Sequence, residues 1–168
     1  MRQDPNNYWE QLERLEKLIR AAELKAGIIF SFHSLILGLF VDRYSYFQDA
    51  FMGNTLLIIL GGLWILSVLI SIYFCFQCFM PRINTKFDKN VFFFRDAAYA
   101  FGSVNEYTKK LIEIFDSEEE FFTMLSQQIF IESKIIDRKF DSVQKSLRFF
   151  AASFVFIILM LLVWLITL

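Results

Sequence analysis

Three long stretches without a charged residue dominate the pattern of the chain, at residues 26–41, 55–79 and 149–168. A helix of about 20 residues crosses a hydrocarbon core of about 30 Å. The second and third stretches reach that length, and the first is slightly short but can be extended by Lys25, whose long side chain snorkels to the membrane surface. The first 25 residues carry as many acidic as basic residues, which is wrong for a signal peptide. We therefore predict three transmembrane helices.

The basic residues are distributed unevenly between the connecting segments. Of the 17 Lys and Arg residues, only Arg43 lies in residues 42–54, and the others lie in residues 1–25 and 82–148. Segments rich in Lys and Arg stay on the cytoplasmic side of a membrane. We therefore expect the N-terminus inside, the C-terminus outside, and residues 42–54 as an external loop with Tyr and Phe residues in an aromatic belt.

Two apolar stripes continue from the spans into the polar parts of the chain. One runs from Tyr8 to Ala22 at spacings of three and four, and the other from Phe122 to Leu147. Ser117 and the three glutamates after it form a capping sequence for the start of a helix. No breaker separates either stripe from its span. We predict an all-α membrane protein in which the first and third spans extend into a cytoplasmic helical bundle, formed by residues 1–25 and 80–148.

Between the second span and the capping sequence, the pattern is less regular. Pro81 ends the span, and residues 82–103 contain several turn-prone residues. A short helix is expected from about residue 104 to 115.

Two features of the spans have both a functional and a structural interpretation. His33 lies midway along the first span, where an ionisable group is a candidate for gating or proton transfer, although a hydrogen-bonded neutral imidazole is common there. Cys75 and Cys78 have the spacing of half a redox or metal site. With no second cysteine pair and a single histidine in the chain, packing explains them better, and we assign no metal site.

The sequence offers no constellation for catalysis that depends on histidine in water. The one histidine lies in a span, and the chain has neither G-x-S-x-G nor a glycine-rich phosphate loop. Carboxylate catalysis stays open, but Glu118 to Glu120 are better explained as a helix start. A net charge of −1 gives no electrostatic footprint for DNA or RNA. We therefore assign no catalytic residue and expect a protein that is not an enzyme.

One segment, residues 81–96, places aromatic rings beside cations close to the membrane surface. This combination can stack a nucleobase and hold a phosphate. It can equally anchor a loop among lipid headgroups, the alternative that the residues alone favour.

Several short motifs follow one another in a fixed order around the spans and resemble the transmembrane effectors of the bacterial Pycsar antiphage system. The resemblance covers most of residues 23–168. Its motifs are Glu23-Leu24-Lys25-Ala26, Pro81-Arg82, Phe92-Phe93-Phe94-Arg95-Asp96-Ala97, Tyr107, Gln128-Ile129, Ser133-Lys134-Ile135 and Arg138-Lys139-Phe140.

The resemblance implies a multi-pass protein of the bacterial inner membrane that senses a cyclic pyrimidine mononucleotide, cyclic CMP or cyclic UMP. A partner pyrimidine cyclase would make this ligand upon phage infection. Binding would then make the effector, expected to be a homo-oligomer in contact with membrane lipids, impair the membrane and abort the infection. The chain needs a cation for the cyclic phosphate and a ring for the base. The candidates are Arg82, Phe94, Arg95, Lys134, Arg138 and Lys139.

An alternative from a different class is a non-catalytic membrane scaffold. It would dock a cytoplasmic partner through the apolar stripe from Tyr8 to Ala22.

Overall fold

The structure is a computed structural model, and it describes residues 4–80 and 89–167, without the side chains of residues 49 and 50. All regular structure in these two ranges is helical, which confirms the all-α prediction. The helices are α1 (Pro5–Asp42), α2 (Tyr44–Gly53), α3 (Thr55–Phe79), α4 (Phe94–Tyr99), α5 (Val104–Asp116) and α6 (Glu118–Thr167).

Local sequence signals explain where the helices begin. Asp4 caps α1, since the Asn6 amide donates to its carboxylate at 3.0 Å, and Pro5 suits the first helical position because it lacks the amide that would be left unpaired there. The hydroxyl of Ser117 accepts from the Glu120 amide at 3.3 Å, so the capping sequence predicted for α6 is confirmed.

Within the described ranges, three helices are long and apolar enough to cross a membrane, namely α1, α3 and α6. The two long ones run without a break, α1 over 38 residues and α6 over 50. The predicted continuity of the first and third spans with their amphipathic stripes is therefore confirmed. The predicted loop at residues 42–54 contains α2 instead, because only Arg43 and Asn54 interrupt the helical backbone there.

The chain divides into two compact units. The polar unit comprises Met1–Arg20 and Arg82–Asp137, and the span unit comprises Ala21–Pro81 and Arg138–Leu168. Helices α1 and α6 contribute residues to both units.

The core of the polar unit is small and rich in aromatic residues. Its buried centre consists of Val91, Ile114, Phe121 and Leu125. Tyr8 and Leu12 of α1 pack against this centre. Lys110 of α5 reaches Glu120 at the start of α6 with an N–O distance of 2.9 Å, and this hydrogen bond raises the pKa of Lys110. The core of the polar unit is thus formed mainly by α1, α5, α6 and the segment that precedes α4.

The span unit has two buried apolar clusters. One contains Leu57, Trp64, Val68 and Met160, and the other contains Ala22, Ala26, Ile29, Cys75, Cys78 and Val143. On α3, the buried Ser71 lies between the residues of the two clusters. Its hydroxyl donates to the Ser146 carbonyl of α6 at 2.9 Å. Side-chain hydrogen bonds of this kind hold membrane helices together, since lipid offers them no competing partner.

Candidate functional site

A groove of about 900 Å³ opens on the surface of the polar unit. Aromatic rings of Tyr8, Phe122 and Phe130 line it. Thr123, Ser126 and Gln127 add hydroxyl and amide groups, and Glu118 and Glu119 add carboxylates. The groove therefore combines aromatic surface with hydrogen-bonding groups, the usual composition of a small-molecule site.

Helical periodicity explains why these residues lie together. The α6 residues of the groove are spaced three and four apart, which places them on one face of the helix. The neighbouring face of α6 carries Phe121 and Leu125, which are buried in the core. Tyr8 closes the groove from α1, its ring centroid 5.1 Å from that of Phe122. The sequence pattern had marked Phe122 only as a core position.

One of the predicted cations, Lys134, lies next to this groove. Its ammonium is 4.3 Å from the centroid of the Phe130 ring, one helical turn earlier on α6. Because Glu118 and Glu119 lie about 20 Å away along the helix, the groove has a positive end at Lys134 and a negative end at the start of α6. A ligand with one anionic and one hydrogen-bonding end would be oriented by this polarity.

The aromatic segment before α4 serves mainly as core. Phe93 is buried, and the Phe92 ring packs edge-on against Phe121 at 5.8 Å between centroids. Of the predicted ligand residues in this segment, Phe94 and Arg95 lie within the described part of the chain, and both are exposed, Phe94 to 74%. Neither is among the residues that line the groove. That this segment binds a nucleobase or lipid stays a prediction.

Asn90 anchors this segment, a role that the sequence pattern did not show. The residue is 1% exposed, and its side-chain amide donates to the Met124 carbonyl of α6 at 2.8 Å. Its side-chain oxygen accepts from the Phe92 amide at 2.9 Å, and its own amide donates to the Asp96 carboxylate at 3.0 Å. The sequence showed a turn-prone residue here, but the Met124 partner belongs to a helix 34 residues away in the sequence.

A tyrosine that carries part of the resemblance, Tyr107, also has a structural place. Its hydroxyl donates to the Val91 carbonyl at 3.3 Å, and its ring packs edge-on against Phe101 at 5.3 Å between centroids. Tyr107 and Asn90 thus both bind the backbone at the start of the aromatic segment, Tyr107 at the Val91 carbonyl and Asn90 at the Phe92 amide.

The three remaining predicted ligand residues, Arg82, Arg138 and Lys139, have to be considered one by one. Arg82 lies outside the described residues. Arg138 is exposed on α6. Lys139 is 3% exposed in the span unit, and its ammonium lies 2.7 Å from the Glu23 carboxylate and 2.7 Å from the Cys78 carbonyl oxygen. In this arrangement, Lys139 already has two acceptors from its own chain.

His33 is 1% exposed and packs edge-on against the Phe150 ring, with centroids 4.9 Å apart. The structure shows no hydrogen-bond partner for its buried Nε2 atom. This contact places His33 against α6, and its gating role stays a prediction. Cys75 and Cys78 are free and fully buried, and the Cys75 sulfur lies 3.0 Å from the Ser146 hydroxyl. Both therefore pack between helices.

A half-buried acidic residue lies further along α6. Glu132 accepts a hydrogen bond from the Gln128 amide at 2.8 Å. Burial raises the pKa of Glu132, and the Glu16 carboxylate of α1 raises it further. The Gln128 side-chain oxygen is buried without a partner in the structure. The surroundings of Glu132 therefore disfavour its charge.

The apolar stripe of α1 is used within the chain. Tyr8 and Leu12 pack on the polar-unit core, Leu15 is 6% exposed, and Ala22 belongs to a buried cluster of the span unit. Leu15 and Ala22 are therefore buried within the chain, whereas Tyr8, Leu12 and Ile19 are partly exposed, and docking of a partner on this stripe stays an alternative.

Comparison with known proteins identifies the family. The family model of the Pycsar effector protein domain matches residues 7–166, nearly the whole chain. No curated protein and no solved structure matches the chain. The chain therefore belongs to the Pycsar effector family.

Proposed function

We propose that this member of the Pycsar effector family, an antiphage defence effector, senses a cyclic pyrimidine mononucleotide in the groove of the polar unit. Cyclic CMP and cyclic UMP are the two ligands that the family membership points to. The observation that carries the assignment to this groove is the Lys134 ammonium 4.3 Å from the Phe130 ring, at one end of a concave surface lined by aromatic and hydroxyl groups.

The chemistry of the groove suits such a ligand. A cyclic nucleotide has one negative charge on its phosphate, and the Lys134 ammonium can meet that charge by turning from the ring face to the phosphate. Aromatic rings stack a base for about 1–3 kcal/mol. The Gln127 amide and the Ser126 hydroxyl can then pair with the polar edge of the pyrimidine. Repulsion from Glu118 and Glu119 keeps the phosphate at the Lys134 end.

Other predicted residues give a second location within the same function. Phe94 and Arg95 also offer a ring and a cation in the polar unit, both exposed on α4. Arg82, Arg138 and Lys139 stay proposals as ligand residues. If the ligand binds in the groove, loss of Lys134 should remove binding, and if it binds on α4, loss of Arg95 should do so. Substitution of these two residues therefore distinguishes the locations.

Helix continuity offers a route from binding to the membrane. Both α1 and α6 contribute residues to the polar unit and continue as spans without a break. If the polar unit is cytoplasmic, as the basic residues predict, a nucleotide made by a pyrimidine cyclase in the cell reaches it directly. For binding to act as a switch, the ligand must favour one arrangement of these helices, or one oligomer, over the other. The proposed result is impairment of the inner membrane and abortive infection.

Thermal denaturation of the purified protein in detergent tests the sensing step. Saturating cyclic CMP or cyclic UMP should raise the melting temperature by about 5 °C or more, because a ligand at 100 times its Kd adds about 2.7 kcal/mol to the stability. Lys134→Ala should remove the shift. Lys109→Ala, an exposed lysine of α5 in the same unit, is the matched control and should retain it.

The remaining outcomes separate the proposals. Loss of the shift in Arg95→Ala with retention in Lys134→Ala would move the site to α4. An unchanged melting temperature with every cyclic nucleotide would show that sensing is wrong. Co-expression with a pyrimidine cyclase then tests the effect on the membrane, and loss of membrane potential is the expected result. A maintained potential together with a co-purifying partner would favour the scaffold instead.

A further inference from the structure

A single buried ammonium joins all three membrane helices of the span unit. Lys139 of α6 has a side chain that is 4% exposed. Its Nζ donates to the Glu23 carboxylate of α1 at 2.7 Å and to the Cys78 carbonyl of α3 at 2.7 Å. Glu23 and Lys139 are 116 residues apart in the sequence, so only the tertiary structure brings them together.

The acceptor on α3 is suited to a cation. Cys78 lies in the last turn of α3, which ends at Phe79. The last carbonyls of a helix have no partner within it, and the negative end of the helix dipole lies there. The Lys139 ammonium therefore satisfies an unpaired carbonyl while the Glu23 carboxylate balances its charge.

A second contact pairs the same two segments. The Lys25 ammonium lies 5.6 Å from the centroid of the Phe140 ring, within the distance at which a cation is attracted to an aromatic face. Glu23 and Lys25 belong to one motif of the family resemblance, and Lys139 and Phe140 to another. The two motifs thus contact each other through two residue pairs, the ion pair of Glu23 with Lys139 and the cation–π contact of Lys25 with Phe140.

We propose that Lys139 is a lock that holds the three spans together in the resting effector, and that activation opens it. A hydrogen bond is lost once its donor and acceptor atoms separate beyond about 3.5 Å, so a shift of α6 by about 1 Å against α1 or α3 breaks the contact. A buried charge that loses its partner is strongly destabilised. The lock therefore gives the span unit two distinct states. This inference rests on the proposed function, for which it supplies the resting state.

The two native cysteines give a direct readout of the lock. Cys78, whose carbonyl accepts from Lys139, is fully buried. In a Cys75→Ala background, Cys78 is the sole cysteine of the chain, and its rate of reaction with a maleimide reports opening of this helix end. Loss of a neighbouring positive charge disfavours the reactive thiolate. A faster reaction after removal of Lys139 therefore reports exposure rather than reactivity.

The test compares Lys139→Met with Lys145→Met in membranes without nucleotide. Lys145 lies on the same helix and pairs with Asp141 of its own helix at 2.7 Å. Its exposed ammonium also lies 5.7 Å from the centroid of the Phe74 ring of α3, a weaker contact than the buried hydrogen bonds of Lys139. Lys139→Met should raise the labelling rate by about tenfold, because the Glu23 carboxylate and the Cys78 carbonyl lose the donor that joins them, and Lys145→Met should leave it unchanged. Glu23→Gln leaves the buried Lys139 ammonium without its counter-charge, so it should raise the rate at least as much.

The proposal is overturned if Lys139→Met accumulates normally and labels like the parent protein. Should Lys139→Met fail to accumulate, Glu23→Gln decides, and an unchanged rate there overturns the lock. In the parent protein, the activating nucleotide should also raise the rate. A nucleotide that shifts the melting temperature without raising the rate refutes the lock but leaves sensing intact. A faster Lys139→Met with no nucleotide effect of any kind supports the lock and refutes sensing.

Discussion

The side-chain amide of Asn90 donates a hydrogen bond to the main-chain carbonyl of Met124 at 2.8 Å, and so attaches the aromatic segment before α4 to helix α6. Asn90 is 1% exposed, which means that neither of its side-chain polar atoms can turn to water if a partner is lost. Four groove residues lie on the same helix within one turn of Met124, namely Phe122, Thr123, Ser126 and Gln127. The relation makes Asn90 a support of the candidate site rather than a ligand residue.

Asn90→Ala should destabilise the protein by about 2–3 kcal/mol, because the half-buried Met124 and Phe92 each lose a hydrogen-bond partner, the one for its carbonyl and the other for its amide. Chemical denaturation in detergent measures this change. Asn105→Ala is the matched control, since Asn105 is exposed on α5, and it should change the stability by less than about 0.5 kcal/mol. Equal stabilities for the two variants would contradict the anchoring role.

Glu132 should make the stability of the protein depend on pH. The pKa of Glu132 is raised in the folded state, chiefly by burial, so the folded state binds a proton more tightly than the unfolded chain. Its contribution to stability is therefore most favourable below the unfolded pKa, and it is lost as pH rises through the raised folded value.

Glu132→Gln should remove this loss and raise the melting temperature at neutral pH by a few degrees, with little gain in acid. The new amide can also donate to the buried Gln128 oxygen, which has no partner in the structure. Melting curves between pH 4 and pH 8 for both proteins test this. Glu13→Gln is the contrasting control, since the Lys17 hydrogen bond lowers the pKa of Glu13, and it should give no gain at neutral pH.

Two adjacent glycines of α3 should respond differently to the same substitution. A Cβ atom at Gly61 would lie 2.9 Å from the Phe51 ring of α2, whereas a Cβ at Gly62 would meet nothing within 4 Å. Gly62→Ala should therefore be neutral or stabilising, because alanine favours a helix by about 1 kcal/mol over glycine. Gly61→Ala should be less stable than Gly62→Ala by about 1–2 kcal/mol, since the Phe51 ring must move. Thermal denaturation of the two variants measures the difference, and equal melting temperatures would contradict the close contact.

His33 should be replaceable by leucine without loss of stability. Its Nε2 is buried without a partner in the structure, so an apolar side chain removes an unpaired polar atom from the membrane interior. His33→Leu should melt at the same or a higher temperature, and Phe32→Leu, which alters an exposed neighbour, serves as control. The gating proposal adds that His33→Leu responds less to the activating nucleotide in a membrane-potential assay. A full response would show that His33 only packs.

Much of the helical architecture followed from the sequence. The charge-free stretches, the two apolar stripes and the capping sequence at Ser117 all concern residues close together in the chain, and helices form from contacts between residues three and four apart. One connecting segment differs from the prediction. Residues 42–54 were expected to be an external loop because they join two spans and hold a single basic residue, yet α2 forms there and its Phe51 packs on the span-unit cluster that contains Leu57 and Trp64.

The candidate site was harder to predict from the sequence, because contacts with residues distant in the chain decide which of its side chains are buried and which are exposed. Lys134 and Lys139 looked alike as basic residues of one motif. In the structure, Lys134 lies beside an aromatic ring of the groove, whereas Lys139 is buried between Glu23 and the end of α3. Likewise Phe92 and Phe94 are neighbours in one aromatic run, but Phe92 packs in the core and Phe94 is exposed.

The sequence by itself determined that the protein is helical, that three of its helices are suited to a membrane, and which family it belongs to. Only the tertiary structure decided which cations are available to a ligand and which are held by their own chain. The physical reason is that periodicity and composition report on a residue and its near neighbours, while the burial of a charge depends on helices that are distant in the sequence, 116 and 61 residues away for Lys139. Lys139 shows this most plainly, since its two acceptors come from α1 and α3.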